Sequence, residues 1–291
     1  MRLVAIKASI FALGNAEFEL ESNVCYNKVM IIDCHTHLSL TAPDETWDES
    51  LQKLLYNMEK NKISKQVIIA DNVSDSNCAD TKKLLDLTSD IGNIKIIGAV
   101  NLLNYSPKDF EYFDALLSNK KIIGLKIFPG HDKIFLNNSA FKPSIDLCLK
   151  YAVPLVIHTG INAGDKNCSK YNDPKLISAL AKKEPDLKIV IAHYFWPKLE
   201  YCFSETDGDK NIYFDTSALA DDEVTEESGG IDEVKLIIKK TIERKADSVI
   251  FGTDYPECAA KDHLKLISSL NISMIDKKNI LHNNAVKIFD I

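Results

Sequence analysis

The chain has 291 residues, a net charge of −7 and a sequence isoelectric point of about 5.6. Its acidic residues are scattered and no basic surface for a phosphate backbone stands out, so we expect no nucleic-acid partner. No apolar run approaches the roughly 20 residues of a membrane span. Seven widely spaced cysteines, an odd number without a C-x-x-C pair, favour reduced thiols and a cytoplasmic protein.

Residues 1–29 precede the first strong strand signal. The apolar stretch 8–13 is too short for the core of a signal peptide. Alternating apolar and acidic residues over 16–22 predict a short strand. We therefore predict an amino-terminal extension with strands at about 2–8 and 16–22, followed by one domain over residues 30–291.

The apolar run 29–33 leads directly into two histidines, two positions apart. Side chains alternate along a strand, so the imidazoles of His35 and His37 should point the same way, and Cys34 should point away from them. Two neutral imidazoles that converge at the end of a buried strand can supply the first two ligands of a divalent metal ion. An isolated H-x-H pair is weak evidence, because most such histidines are ordinary surface or core residues.

Seven further apolar runs of strand length follow, each rich in β-branched residues and bounded by turn residues. The eight predicted strands are 29–33, 66–70, 94–100, 121–128, 153–157, 188–192, 212–216 and 248–252.

Helical patterns fill the intervals between these strands. Four apolar residues from Leu51 to Met58 are spaced i, i+3, i+4, i+7, as on one face of a helix. Ser106-Pro107 and Asp173-Pro174 have the pattern of an N-cap followed by proline at the first helical position. Strands that alternate with helices predict parallel pairing in a covered sheet.

Eight β/α units in roughly 250 residues predict a (β/α)8 TIM barrel, whose active site lies at the carboxyl ends of its strands. A doubly wound open sheet is the competing fold. It is disfavoured because no Gly-rich phosphate loop follows the first strand.

Residues with metal-binding side chains follow several predicted strands. His158 follows the fifth strand, His193 the sixth, and Asp254 the eighth, so a barrel would gather them at the same end as the first strand. Lys126 lies inside the fourth apolar run. A buried lysine needs a partner, so Lys126 either reaches this centre or extends to the strand end to meet a carboxylate.

These residues carry a resemblance to a known family. The segments 251–256 and 283–289 are similar to the amidohydrolase-related branch of the amidohydrolase superfamily, which includes aminocarboxymuconate-semialdehyde decarboxylase and its relatives. The resemblance covers about residues 30–291 and extends to six site residues in the family order: His35, His37, Lys126, His158, His193 and Asp254.

The resemblance implies one or two divalent ions, most commonly zinc, that generate hydroxide at neutral pH. It implies that His35, His37 and Asp254 hold one ion and that His158 and His193 contribute to a second position. Asp254 would act as general base and later return the proton to the leaving group. In relatives with one ion, His193 is free to polarise the scissile carbonyl.

The resemblance leaves the state of Lys126 open. In two-metal relatives this lysine is carboxylated and bridges the ions, whereas in single-metal relatives it stays a free amine that contacts substrate or His158. The single-metal form is the commoner one in this branch, so we expect one tightly held ion.

Three functions are compatible with this sequence. The first is hydrolysis of a small-molecule amide, lactone or ester bond, and the second is metal-dependent decarboxylation of a small unsaturated or aromatic acid. The third is a metal-binding barrel without turnover. Arginine often seats a substrate carboxylate, but the chain has only Arg2 and Arg244, and the latter should lie on the far side of the barrel. A carboxylate clamp would have to come from a lysine such as Lys126 or Lys166, or from backbone donors, which lowers decarboxylation below hydrolysis.

Four residues near the predicted active face could contact a small-molecule substrate, although three of them, all except Lys126, are equally compatible with loop packing. They are Lys126, His131, Tyr194 and Tyr255. The sequence leaves the oligomeric state open, including a homo-oligomer.

Overall fold

The computed structural model describes residues 30–73, 76–162 and 165–291, and the predicted amino-terminal extension lies outside these ranges. The strands are β1 Ile31–Thr36, β2 Ile63–Ile69, β3 Ile94–Ala99, β4 Leu125–Ile127, β5 Leu155–Ile157, β6 Ile189–Ile191, β7 Ile212–Asp215 and β8 Val249–Ile250. The α-helices are α1 Trp47–Lys60, α2 Thr81–Thr88, α3 Pro107–Ser118, α4 Pro129–Asp132, α5 Lys142–Tyr151, α6 Pro174–Lys183, α7 Leu199–Glu205, α8 Asp222–Glu227, α9 Ile231–Arg244, α10 Ala260–Ser269, α11 Met274–Lys278 and α12 Asn284–Phe289.

The eight strands form one parallel sheet in the order β1 to β8. The first and last strands also meet. The backbone N–H of Cys34 donates to the carbonyl of Phe251 at 2.8 Å, and Thr36 pairs with Tyr255 just beyond β8. The sheet therefore closes on itself, and the predicted (β/α)8 barrel is confirmed.

The predicted helix starts agree with the structure. A capping box at Thr46 and Glu49 begins α1. Ser106 and Asp173 are the N-caps of α3 and α6, and a proline occupies the first turn of each helix. Within the described part of the chain, no helix is both long and apolar enough to cross a membrane.

Lys126 of β4 stands on the inner face of the barrel. It pairs in register with Val156 of β5, which pairs with Val190 of β6, and neighbours in register on parallel strands share a face. Both valines belong to an apolar cluster with Ile32, Val67, Ile69, Ile250 and Cys34.

The position of Cys34 corrects the expectation that it points away from the histidines. Asp33 pairs with Gln66 and Thr36 with Ile68, so three steps along β1 match two along β2. This irregularity breaks the simple alternation of side chains. As a result, Cys34 packs inside the barrel, in the cluster that contains Val156.

The helix α12 covers the end of the barrel at which the strands begin, opposite to the candidate site. Ile288 and Phe289 pack in the same interior cluster. Lys188, ahead of β6, donates to the carbonyl of Ile288 at 3.1 Å, and Lys287 pairs with Asp247 ahead of β8. With this end closed, access to the interior is left to the carboxyl ends of the strands.

Candidate metal centre

The two histidines at the end of β1, His35 within the strand and His37 just beyond it, are each held by one ring nitrogen. Nδ1 of His35 lies 2.6 Å from Oδ2 of Asp215, and Nδ1 of His37 lies 3.1 Å from the carbonyl of Ile69. A carboxylate or carbonyl only accepts, so each Nδ1 carries the proton and each Nε2 has an unprotonated lone pair. Both Nε2 atoms face Asp254, at 3.5 Å from His35 and 3.4 Å from His37.

Asp254 is placed beside them by the approach of β8 to β1. Its backbone N–H donates to the carbonyl of His35 at 2.8 Å, and its φ of 69° lies in the left-handed region. The buried Asp33 accepts from both the hydroxyl and the N–H of Thr253, at 2.8 and 3.1 Å. Gly252 permits this approach, because a Cβ there would lie 2.8 Å from the Cβ of His35.

The ionisation of these groups suits metal binding. Burial, together with the charge of Lys126, lowers the pKa of His35 to about 3, which keeps this imidazole neutral. Burial alone would raise the pKa of Asp254, but the neighbouring histidines, His193 foremost, outweigh it and hold the pKa well below its usual range. A neutral imidazole and an ionised carboxylate are the states that ligate a divalent ion.

Lys126 ends at this centre, as the sharper of the two sequence interpretations expected. Its side chain is fully buried, with Nζ 3.4 Å from Nε2 of His35 and 5.3 Å from the ring centre of Phe128. Burial lowers the pKa of this amine to about 8. A part of the population is therefore a neutral amine near physiological pH.

His193 and His158 extend the cluster away from β1. The ring of His193 lies 4.8 Å from that of His35 and 4.9 Å from that of His158, measured between centroids. Nε2 of His158 lies 3.0 Å from Oδ1 of Asn162, so an Nε2–H that donates there leaves Nδ1 of His158 free. Burial lowers the pKa of both histidines.

Asp215, at the end of β7, was missed in the sequence analysis. Besides His35, it contacts Ser217, and its Oδ1 accepts the backbone N–H groups of His193 and Ser217, each at 3.1 Å. Its signal was the same as that of the other strands, an apolar run that ends in a polar residue. It was overlooked because the resemblance assigned no role to the seventh strand.

The predicted substrate-facing residues separate into two groups. His131 is exposed, with its ring 4.5 Å from that of His158, and Tyr255 is partly buried next to His37, whose N–H donates to the Tyr255 carbonyl at 2.6 Å. Tyr194 is instead fully buried and stacks on Phe214 at 4.6 Å. Residues 193–195 all have positive φ, so the chain turns here and takes Tyr194 into the core. We therefore no longer expect Tyr194 to contact the substrate.

Two groups of side chains have the donor chemistry and spacing for a metal ion. The ligand atoms of His35, His37 and Asp254 lie within 4.8 Å of one another, and so do those of His35, His193 and Asp215. The carboxylate of Asp215 is already occupied by hydrogen-bond donors, so the first group fits an ion better. Nitrogen and oxygen donors with oriented imidazoles are typical of a zinc site.

A closed (β/α)8 barrel with histidines and a carboxylate gathered at the carboxyl ends of its strands has the arrangement of a TIM-barrel enzyme's active site. The sequence model of the amidohydrolase family matches residues 32–291. The chain therefore belongs to this family, and its predicted place in the amidohydrolase-related branch is confirmed.

Solved structures share this fold at low sequence identity. An uncharacterized TIM-barrel protein from Bordetella bronchiseptica is 19% identical, with a TM-score of 0.72 over 90% of this chain and 99% of that one. A probable 2-pyrone-4,6-dicarboxylic acid hydrolase from Acinetobacter baumannii is 13% identical, with a TM-score of 0.65 over 90% of this chain and 99% of that one. The 5-carboxyvanillate decarboxylase of Sphingomonas paucimobilis is 13% identical, with a TM-score of 0.65 over 91% and 100% of the two chains. No curated protein matches the chain by sequence.

Proposed function

We propose that this chain is a metal-dependent hydrolase that cleaves an amide, lactone or ester bond in a small molecule. The observation that carries the proposal is the convergence of the free Nε2 atoms of His35 and His37 on Asp254, 3.5 and 3.4 Å away. Both imidazoles are already fixed through Nδ1, so the donor set is oriented before an ion arrives.

In this proposal His35, His37 and Asp254 hold one divalent ion, most commonly zinc, with His158 and His193 beside it. The ion would lower the pKa of a water molecule and polarise a substrate carbonyl. Asp254 accepts the proton of the attacking water and returns it to the leaving group. His193 is the second catalytic candidate.

Lys126 sets the number of ions. As a free amine it contributes a positive charge beside His35 and can contact substrate, which fits a single ion. Addition of carbon dioxide to the neutral amine, with loss of one proton, would give a carbamate anion that could bridge two ions. We propose the single-ion form. The ratio of metal to protein, measured by mass spectrometry with and without bicarbonate, tests it: about one equivalent in both buffers supports it, and about two with bicarbonate contradicts it.

The pairing of lysines around the active face favours hydrolysis over decarboxylation. Lys166, one of the two sequence candidates for a carboxylate clamp, lies 2.9 Å from Glu227. Lys133 lies 3.5 Å from Asp165. A substrate carboxylate bound by Lys166 or Lys133 would therefore compete with an acidic side chain of the protein.

Decarboxylation is the second candidate, because similar structures include the 5-carboxyvanillate and 2,6-dihydroxybenzoate decarboxylases. The two reactions differ in product, since hydrolysis adds water and decarboxylation releases carbon dioxide. The metal-loaded chain should be screened against lactones, esters and amides, and separately against aromatic and dienoic acids.

Turnover in the first screen that is lost in His35→Ala would support the proposal. Release of carbon dioxide alone would replace it with the lyase. Metal binding that depends on His35, without turnover in either screen, would favour the binding barrel.

A further inference from the structure

We propose that Asp215, at the end of β7, and Ser217, just past it, form a positioning relay that holds the proton of His193 on Nδ1 and leaves a bare lone pair on Nε2. This inference deepens the proposed function, on which it rests for the role of His193. Its evidence is the direction of three hydrogen bonds.

The first step is the state of Asp215. Its side chain is 1% exposed, and four donors surround it: Nδ1 of His35, the backbone N–H groups of His193 and Ser217, and the hydroxyl of Ser217. Two of these donors are backbone N–H groups, which can only donate, and both lie 3.1 Å from Oδ1. Oδ1 of Asp215 is therefore an acceptor of hydrogen bonds.

The second step is the direction of the Ser217 hydroxyl. Its Oγ contacts Oδ1 of Asp215, and since that oxygen can only accept, Ser217 must donate its single proton there. The same Oγ lies 2.9 Å from Nδ1 of His193. With its proton already committed, Ser217 can only accept at this second contact, so the imidazole is the donor.

The third step is the consequence for His193. A neutral imidazole with its proton on Nδ1 has a bare Nε2, which can bind a metal ion or accept a proton. It has no N–H on that side with which to polarise a carbonyl. The relay therefore contradicts the carbonyl-polarising role that the resemblance suggested for His193.

One carboxylate thus sets the tautomers of histidines from two strands. Asp215 acts on His35 of β1 directly and on His193, after β6, through Ser217. It also accepts the backbone N–H of His193, whose φ of 59° needs outside support. We assign Asp215 and Ser217 as positioning residues, since neither is expected to touch the substrate.

The test is the tautomer of His193 in the full chain after treatment with a chelator, read by ¹H–¹⁵N NMR of the imidazole nitrogens, with the signal assigned by its absence in His193→Gln. We expect the Nδ1–H form in the unsubstituted chain, a shift towards the Nε2–H form in Ser217→Ala, and the Nδ1–H form again in Ser217→Thr, which keeps a hydroxyl. Ser228→Ala, at another buried serine that directly follows α8, should leave the signal unchanged.

An Nε2–H form in the unsubstituted chain would overturn the relay, and this result does not depend on whether Ser217→Ala folds. An unchanged tautomer in a folded Ser217→Ala would overturn it as well. Neither outcome requires turnover, so the relay can fail while hydrolysis stands. Conversely, an inactive chain with the expected tautomers would overturn the proposed function and leave the relay intact.

Discussion

Asp254 is the carboxylate to which we assign the role of general base. It lies within 3.5 Å of His35 and His37, and 4.0 Å from Nδ1 of His193. Replacement by Asn keeps an oxygen ligand and nearly the same shape. It removes most of the basicity.

We predict that Asp254→Asn keeps the fold and most of the bound metal but lowers the turnover number by about 10²–10⁴-fold, the usual contribution of a positioned base. Initial rates and metal content measured on the same preparation check this. Asp262→Asn, at an exposed aspartate of α10, is the matched control and should retain full activity. Unchanged turnover in Asp254→Asn would remove the general-base assignment.

Asp132 provides a second prediction at this scale, away from the proposed ligands. Its Oδ1 accepts from the side-chain amide of Asn72 at 2.9 Å, while its buried Oδ2 finds no hydrogen-bond partner among the described residues. Burial raises the pKa of Asp132 from 3.8 to about 6. Between about pH 4 and pH 6 the folded chain therefore holds a proton that the unfolded chain has released.

The free energy of unfolding should fall as the pH rises through this window, by at most about 3 kcal/mol from this group. Asp132→Asn should remove that part of the decline, because the amide does not titrate. Urea unfolding at pH 4.5 and 6.5 measures the difference, and Asp44→Asn, at an exposed position, should behave as the unsubstituted chain. If Asp132→Asn shows the same pH dependence of unfolding as the unsubstituted chain, the pKa of Asp132 is not raised by folding.

Single residues could be identified from sequence where a polar side chain interrupts or ends an apolar run. His35, His193 and Asp254 stand out in this way, and the structure brings them together. Ser217 could not be found from the pattern, because a serine after a strand is ordinary and its importance depends on a carboxylate and an imidazole from two different strands. Tyr194 was misplaced because the left-handed turn that contains it has no signature in its residue types.

At the scale of elements, the close contact between β1 and the segment that follows β8 leaves no room for a side chain at Gly252. A methyl group at Gly252 would lie 2.8 Å from the Cβ of His35 and 3.4 Å from its backbone nitrogen. We expect Gly252→Ala to push the two strands apart and to weaken metal binding at least tenfold, consistent with the cost of disturbing ligand orientation. Gly92→Ala is the control, since no atom lies within 4 Å of a Cβ there.

Metal titration of both variants, with circular dichroism to monitor folding, distinguishes a local from a global effect. Equal affinities in the two variants would mean that β8 can move without disturbing His35.

Local signals were sufficient for the helix starts, because an N-cap and a following proline act within one turn. The direction of the side chains along β1 could not be predicted from local sequence in the same way. The irregularity that brings Cys34 into the barrel is a property of the pair β1 and β2, and its partners Gln66 and Ile68 are some thirty residues away. Strand register depends on such distant contacts, whereas alternation assumes a regular ladder.

At the scale of the whole molecule, an ion bound between β1 and β8 should stabilise the entire barrel, because it binds the folded chain and not the separated strands. At a free ion concentration about 100 times Kd, linkage predicts about 2.7 kcal/mol. Thermal unfolding with zinc and with a chelator should therefore differ by several degrees. The His35→Ala, His37→Ala double variant should lose this difference, and full zinc stabilisation in that variant would place the ion elsewhere.

The closed barrel itself was predictable because eight β/α units leave few other arrangements, and closure needs only the count and order of strands. Closure between the first and last strands also affects how the protein folds during its synthesis. Asp33 and Thr253, which join the two halves of the centre, are 220 positions apart in the chain. At roughly 5–20 residues per second, a ribosome would release the first histidines about 10–45 seconds before the carboxylate that completes their site. An unfinished chain cannot assemble the donor set, so capture of the ion would mark a polypeptide whose last strand has docked.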